Sequence, residues 1–215
     1  MMNKPKIEPY SPTISEIEQF VFDAGSDHVP TFGGTYGGIY CQQISDEIAP
    51  CIFAILESQL KINAYLEIGV AAGGTTFLIN HFLKPDRIVL IDNNQHPKHH
   101  MRSYVLRDIS YNEIIGDSHA GSTVAVLKTF ETKFDIILVD GDHTYDGVSK
   151  DIKIYQKYLR VNGFLIFHDS IIPELGVMQA VSDLKKSNDM EFINNYITQK
   201  HSKPCGVALF RKADK

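Results

Sequence analysis

A doubly wound, mostly parallel α/β sheet is the architecture this sequence predicts, and three observations carry that prediction. Apolar runs of strand length recur at 64–70, 87–92, 112–117, 134–140 and 163–169, each followed by enough chain for a helix. The fourth run, FDIILVDGDH at 134–143, keeps Ile136 to Val139 unbroken by polar residues and then sets two carboxylates and an imidazole within four positions. Runs of this kind mark strands covered on both faces, the condition of parallel sheets. The first run opens into LEIGVAAGGTT, a glycine-bearing turn between strand and helix, and open α/β sheets take their ligands at such carboxyl-end turns.

Taken in order, residues 1–35 hold Pro5, Pro9, Pro12 and Pro30 among polar residues and read as an irregular arm with one short helix, TISEIEQFVFDAG at 13–25. Ser15 and Glu18 are placed to form its capping box. FGGTYGGIY at 32–40 continues the arm, so the chain divides into an arm or lid over 1–44 and a main domain over 45–215. Apolar residues Ile48, Ile52, Ile55, Leu56 and Leu60 recur at helical spacing and predict a helix over 45–61. Five strand-then-helix units follow, and right-handed crossovers place their strands side by side. A helix over 175–187 precedes two further strands, 191–198 and 206–212, whose short separation permits an antiparallel hairpin at one edge. The sheet then has seven strands.

Composition excludes several classes. The 215 residues suit one large domain, and a formal charge of −5 with scattered Lys and Arg offers no field for nucleic acid or an anionic membrane. Cys41, Cys51 and Cys205 fit neither a disulfide framework nor a CxxC zinc site, so free thiols are expected. The longest apolar run near the start, 49–56, is too short for a bilayer, and no basic-then-apolar leader opens the chain; the expected location is the cytoplasm.

Gly69, Gly73 and Gly74 lie where a nucleotide approaches the first turn, although Ala71 breaks the GxGxxG pattern of dinucleotide sites. Asp92 ends the second strand at the place of a ribose acid, and Asp117 and Ser118 end the third, where they either accept from an adenine or cap the next helix. Asp140, Asp142 and His143 end the fourth strand, and His168 and Asp169 end the fifth, so neighbouring strands bring them together. Asp142 with His143, or Asp169 with Ser170, could instead serve as helix caps. His96, His99 and His100 read as a solvated loop.

EIGVAAGG with Asp92, then GDS, VDGDHTYDGVSKDI and NGFLIFHDS, resembles the class I S-adenosylmethionine-dependent methyltransferases, and more narrowly the small O-methyltransferases of catechol, caffeoyl-CoA and macrocin type, over about residues 40–212. The resemblance implies the strand order 3-2-1-4-5-7-6. It also implies S-adenosylmethionine as methyl donor, held by Glu67, Gly69, Ala71, Gly73, Thr75, Asp92, Asn93, Asp117, Ser118 and Asp140. The implied acceptor is a hydroxyl of a small molecule, in the range of a sugar or glycosylated natural product. Methyl transfer needs alignment, a deprotonated nucleophile and exclusion of water. His143 is the first choice of base and His168 the reserve, beside Asp140. In metal-dependent relatives Mg2+ sits on acids matching Asp140 and Asp169, while Ser170 replaces the amide, leaving His168 or Asp142 as third ligand. Related N-terminal segments cover the donor, a role open to Tyr36, Tyr40 and Gln43, and a homodimer through the arm is compatible with the pattern. Competing readings are a nicotinamide-dependent oxidoreductase, a metal-dependent hydrolase using His168 and Asp169, and a donor-binding module without catalysis.

Overall fold

The computed structural model describes residues 11–26 and 34–214. The parts of the arm at 1–10 and 27–33, including Pro5, Pro9 and Pro30, lie outside the described residues. Helix α1 (Ile14–Ala24) and helix α2 (Ser45–Glu57) precede a strand-helix alternation: β1 (Ala64–Ile68), α3 (Gly74–Leu83), β2 (Arg87–Asp92), α4 (Arg102–Val105), β3 (Asn112–Ile115), α5 (Gly121–Lys128), β4 (Phe134–Val139), α6 (Tyr145–Tyr155), β5 (Leu159–Phe167), α7 (Val177–Leu184), β6 (Met190–Tyr196) and β7 (Val207–Lys212). One seven-stranded sheet runs β3-β2-β1-β4-β5-β7-β6, as the sequence resemblance implies. Strands β1 to β5 pair in parallel, and β7 enters antiparallel between β5 and β6.

The apolar runs explain the layering. Along β4 every residue is buried, with Ile136 and Leu138 facing the core under α1, α2 and α3, and Ile137 and Val139 facing the core under α5, α6 and α7. Alternate side chains of a strand point to opposite faces, so a strand roofed on both sides has no polar positions to offer. The exception is Asp135, which is 2% exposed and accepts from the amides of Asn63 (2.7 Å) and Ala64 (2.8 Å). It ties the start of β1 to β4 and sets the register that follows, Tyr65 opposite Ile136 through Ile68 opposite Val139. Buried carboxylates persist where backbone N–H groups solvate them.

Three sequence expectations shift. The capping box of α1 is Thr13 with Glu16: the Glu16 carboxylate accepts from the Thr13 amide (2.8 Å) while the Thr13 hydroxyl accepts from the Glu16 amide (3.3 Å). Ser15 and Glu18 keep the same spacing but lie within the helix, and Glu18 pairs with Lys200 instead. Strand β5 begins at Leu159, earlier than 163, because Leu159 pairs with Phe134 before a register shift. Asn162 in that stretch takes φ 63°, a left-handed conformation that asparagine tolerates. Helix α2 stops at Glu57, before Leu60.

Much of the described arm belongs to the core. Ile17, Val21, Ile39 and Cys41 pack in the same cluster as β1 and β4, and a Cβ on Gly74 would lie 2.6 Å from Cys41 Cα. The three cysteines are free and buried. Among the described residues no helix is long and apolar enough to cross a membrane.

Glu47 on α2, wholly buried, secures the far edge of the sheet. Its carboxylate accepts from the amides of Thr198 (3.0 Å), Cys205 (3.2 Å) and Gly206 (2.9 Å), so one side chain anchors both ends of the β6–β7 connection. Glu47→Ala leaves three buried N–H groups without an acceptor, and the expected loss is about 3 kcal/mol or more of unfolding free energy. Urea denaturation measures it; a change under about 1 kcal/mol would show that water replaces the carboxylate.

Candidate active site

The site begins where β1 ends. Gly69 takes φ 80°, and a Cβ there would collide with the Asp140 carbonyl oxygen, so only glycine lets the turn lie against the tip of β4. Gly73 takes φ 88° as the N-cap of α3, and Ala71 between them takes φ 47°, a left-handed conformation without glycine's freedom. The turn therefore lays main chain along the floor of a cleft of about 740 Å³.

Asp92 closes the turn from β2. Its Oδ2 accepts from the amides of Val70 (2.7 Å) and Ala71 (3.0 Å), and its Oδ1 accepts from the Asn94 amide (2.6 Å). The buried Arg102 guanidinium stands 3.1 Å from Oδ1. Burial pushes this carboxyl up, but the Val70 amide, Arg102 and the other two amides outweigh it, and the group stays below its ordinary value. Asn93, Asp117, Ser118, Thr75 and Glu67 line the same cleft.

At the tips of β4 and β5 four groups converge. His143 Nε2 stands 3.1 Å from Asp140 Oδ1 and 3.5 Å from Asp169 Oδ2; His168 Nδ1 stands 3.3 Å and 3.6 Å from the same two oxygens. Asp169 takes φ 55°, which turns its side chain back toward Asp140. Asp140, His143 and Asp169 each offer a ligand atom, all within 4.8 Å of one another, as do His168, Asp169 and Cys205.

The segment 66–170 matches the model of the Methyltransf_24 family, described as a methyltransferase domain. Residues 66–170 thus match a methyltransferase domain, and the sheet has the strand order of the Rossmann-like methyltransferase fold. A curated relative, an uncharacterized protein of Acanthamoeba polyphaga mimivirus, is 26% identical over 111 residues, 49% of this chain and 50% of the relative. The chain thus spans about half the length of the curated relative it matches. Three solved structures share the fold. The N-methyltransferase NodS of Bradyrhizobium japonicum WM9 bound to S-adenosyl-L-homocysteine has a TM-score of 0.59 at 20% identity over 77% of this chain and 85% of that one. An O-methyltransferase of Bacillus cereus in complex with the same product scores 0.61 at 14% identity, over 96% and 93%. MycE of the mycinamycin biosynthetic pathway, bound to Mg, S-adenosylhomocysteine and mycinamycin VI, scores 0.58 at 18%, over 94% and 55%.

Within the methyltransferase domain, electrostatics separate the four tip residues. Burial works to raise Asp140, but His168 and the hydrogen bonds from both imidazoles outweigh it and hold the carboxyl well below its usual range. For His143 the hydrogen bond to Asp140 is the largest influence and raises its pKa. His168 is held up by Asp140 against the opposing effect of burial. The two rings differ in access: the His143 side chain is 34% exposed and faces the cleft, whereas that of His168 is 7% exposed.

The other predicted residues take different places, with Asp142 and Tyr40 also lining the cleft. Asp142 accepts from the Thr144 amide (2.9 Å) and organises the turn before α6, whose N-cap is Thr144. The Ser170 hydroxyl donates to Asn195 Oδ1 (2.6 Å), pointing away from the acidic pair. His168 and Asp169 close a strand, not the helix a metal hydrolase of that motif would use. Tyr40 lines the cleft and Gln43 reaches Asp140 Oδ2 at 3.4 Å, while Tyr36 is exposed at the surface.

Sequence reasoning missed several groups. His96 lines the cleft and its ring meets Gln42 at 3.2 Å, so it is part of the rim and not of a solvated loop. His119 stands 3.1 Å from the wholly buried Asp151, whose carboxyl burial raises to about 6. Arg102, which the sequence did not single out, is buried beside Asp92.

Glu67, buried within β1, accepts from the Tyr65 hydroxyl (2.7 Å) and from Thr76. Burial raises it from 4.5 to about 8. Between those values the folded chain holds a proton that the unfolded chain has released, so stability falls as pH rises through that window. Glu67→Gln, which cannot titrate, should flatten this part of the profile; urea midpoints of both proteins from about pH 5 to about pH 8 check it, and parallel slopes would show that Glu67 ionises freely.

Proposed function

We propose that the domain is an S-adenosylmethionine-dependent O-methyltransferase acting on a hydroxyl of a small molecule. The observation that carries this reading is a single cleft in which the glycine turn and the four groups at the tips of β4 and β5 face one another. Donor fit is supported by the turn itself, where Gly69, Val70, Ala71 and Ala72 line the cleft and Asn93, Asp117 and Ser118 offer polar atoms along it. When bound, the donor supplies a sulfonium methyl: the acceptor oxygen forms the new carbon–oxygen bond, the sulfur keeps the pair of the broken carbon–sulfur bond, and the hydroxyl proton leaves.

The chain's own residues manage that proton. His143 is the proposed base, because its ring faces the cleft and Asp140 and Asp169 orient Nε2. Burial of His168 behind Asp140 makes it a support for that carboxylate. Gln43 donates to the other Asp140 oxygen, and Tyr40, Gln42 and His96 close the rim against water. An acceptor of sugar or glycosylated type draws support from MycE, whose complex contains mycinamycin VI.

A second reading of the proton step is favoured by the ligand geometry. Asp140, His143 and Asp169 have the donor types for a divalent cation, which would lower the hydroxyl pKa by coordination, and the MycE complex contains Mg. Calorimetry with S-adenosylhomocysteine and a methyl-transfer assay over a panel of glycosides test the proposal. His143→Ala and Asp169→Ala should keep product affinity within about threefold while turnover falls at least about 100-fold. Full activity after exhaustive chelation favours His143 as base, and restoration by Mg2+ favours coordination. Failure of the wild-type protein to bind S-adenosylhomocysteine removes the reading.

A further inference from the structure

We infer that Arg102 is a positioning residue for the donor-binding turn, substituting for the glycine that the turn lacks at Ala71. The inference rests on the donor-site reading above and concerns a residue outside it. Ala71 holds φ 47° although it carries a Cβ, so something outside the residue must keep it there. Its amide is fixed by Asp92 (3.0 Å). Its carbonyl accepts two N–H groups of one guanidinium, from Nε at 3.0 Å and from Nη2 at 2.9 Å.

The rest of the same fork faces the other strands. Nη2 stands 3.1 Å from Asp92 Oδ1, Nη1 donates to Asn94 Oδ1 at 3.0 Å, and Nη1 also pairs with Glu113 on β3. Arg102 therefore joins the tip of β1, the tip of β2 and the edge strand through one planar group, and it is 3% exposed. A buried guanidinium with two carboxylates and two amide-type oxygens around it has a partner on every side, the condition under which a buried charge is tolerated. Lysine cannot replace it, because a single ammonium has no fork to straddle a carbonyl and reach two acids at once. The clamp acts on Val70, Ala71 and Ala72, whose main chain lines the cleft beside Gly69 and Asp140. Leu106, just after α4, packs where a Cβ on Gly73 would lie, so the turn is braced from below by the same short segment.

The test uses the full chain and the variants Arg102→Lys, Arg102→Met, Ala71→Gly and Arg102→Lys with Ala71→Gly. Hydrogen exchange is read at the amides of Val70 and Ala71 without ligand, with Leu138 in β4 as an internal standard, and S-adenosylhomocysteine affinity is read by calorimetry. Arg102→Lys should speed exchange in the turn about tenfold or more, leave Leu138 unchanged and weaken binding about tenfold. Ala71→Gly added to Arg102→Lys should recover affinity to within about threefold of wild type, because glycine takes the positive φ unaided. A purely structural arginine would instead lower stability everywhere, moving Leu138 with the turn and gaining nothing from the glycine. The inference is overturned if Arg102→Lys changes turn exchange and affinity by less than about twofold, or if the double variant is no better than the single one. If wild type fails to bind, the donor reading falls, and exchange in the turn still decides whether Arg102 holds Ala71. If Arg102→Met does not fold, Arg102→Lys carries the result.

Discussion

The contact between Gly69 and the main chain at Asp140 is the constraint on which the rest of the site depends. Gly69 donates to Ile91 of β2 (2.9 Å), and Asp140 donates to Ile68 of β1 (2.8 Å), so both turns continue the parallel ladder for one residue before diverging. At that point no side chain fits between them. The glycine turn and the acidic tip of β4 are consequently fixed against each other by backbone hydrogen bonds. A site built on sheet ends is more exact than one built on loops, which is what in-line transfer demands.

Around this contact the chain places carboxylates at structural joints. Asp135 joins β1 to β4, Asp92 joins the first turn to β2, Glu47 joins α2 to the β6–β7 connection, and each is solvated mainly by backbone amides. Such acids fix register and loop path in a way apolar packing cannot, because an amide–carboxylate bond has direction. Glu67 differs in having two hydroxyls as partners, and burial raises its carboxyl as it also raises that of Glu47.

The fold was legible because its pattern is dense and one-dimensional. Ile136, Ile137, Leu138 and Val139 announce a doubly covered strand without any knowledge of their neighbours, and Arg87–Asp92 was bounded to the residue. Boundaries failed where a local choice depended on a distant partner. Leu159 reads as helix or loop by itself and becomes strand only by pairing with Phe134. Thr13 and Ser15 are equal as capping residues, and the position of the first helical turn, set by packing Ile17 and Val21 into the core, chooses between them. For the site, residues at strand ends were visible, and of those reaching it from elsewhere Tyr40 and Gln43 were named as candidates whereas His96 was read as loop.

By itself the sequence determined the alternation of elements, the parallel core and the presence of a glycine turn ahead of acidic strand tips, since these depend on hydrophobic period and on residue types fixed at strand ends. Tertiary structure alone decided which charges are buried, which of two histidines is the more exposed, and why Ala71 can stand where glycine was expected. Each of those is a relation between segments far apart in the chain. Burial and pairing are properties of the folded neighbourhood, so no window along the chain contains them.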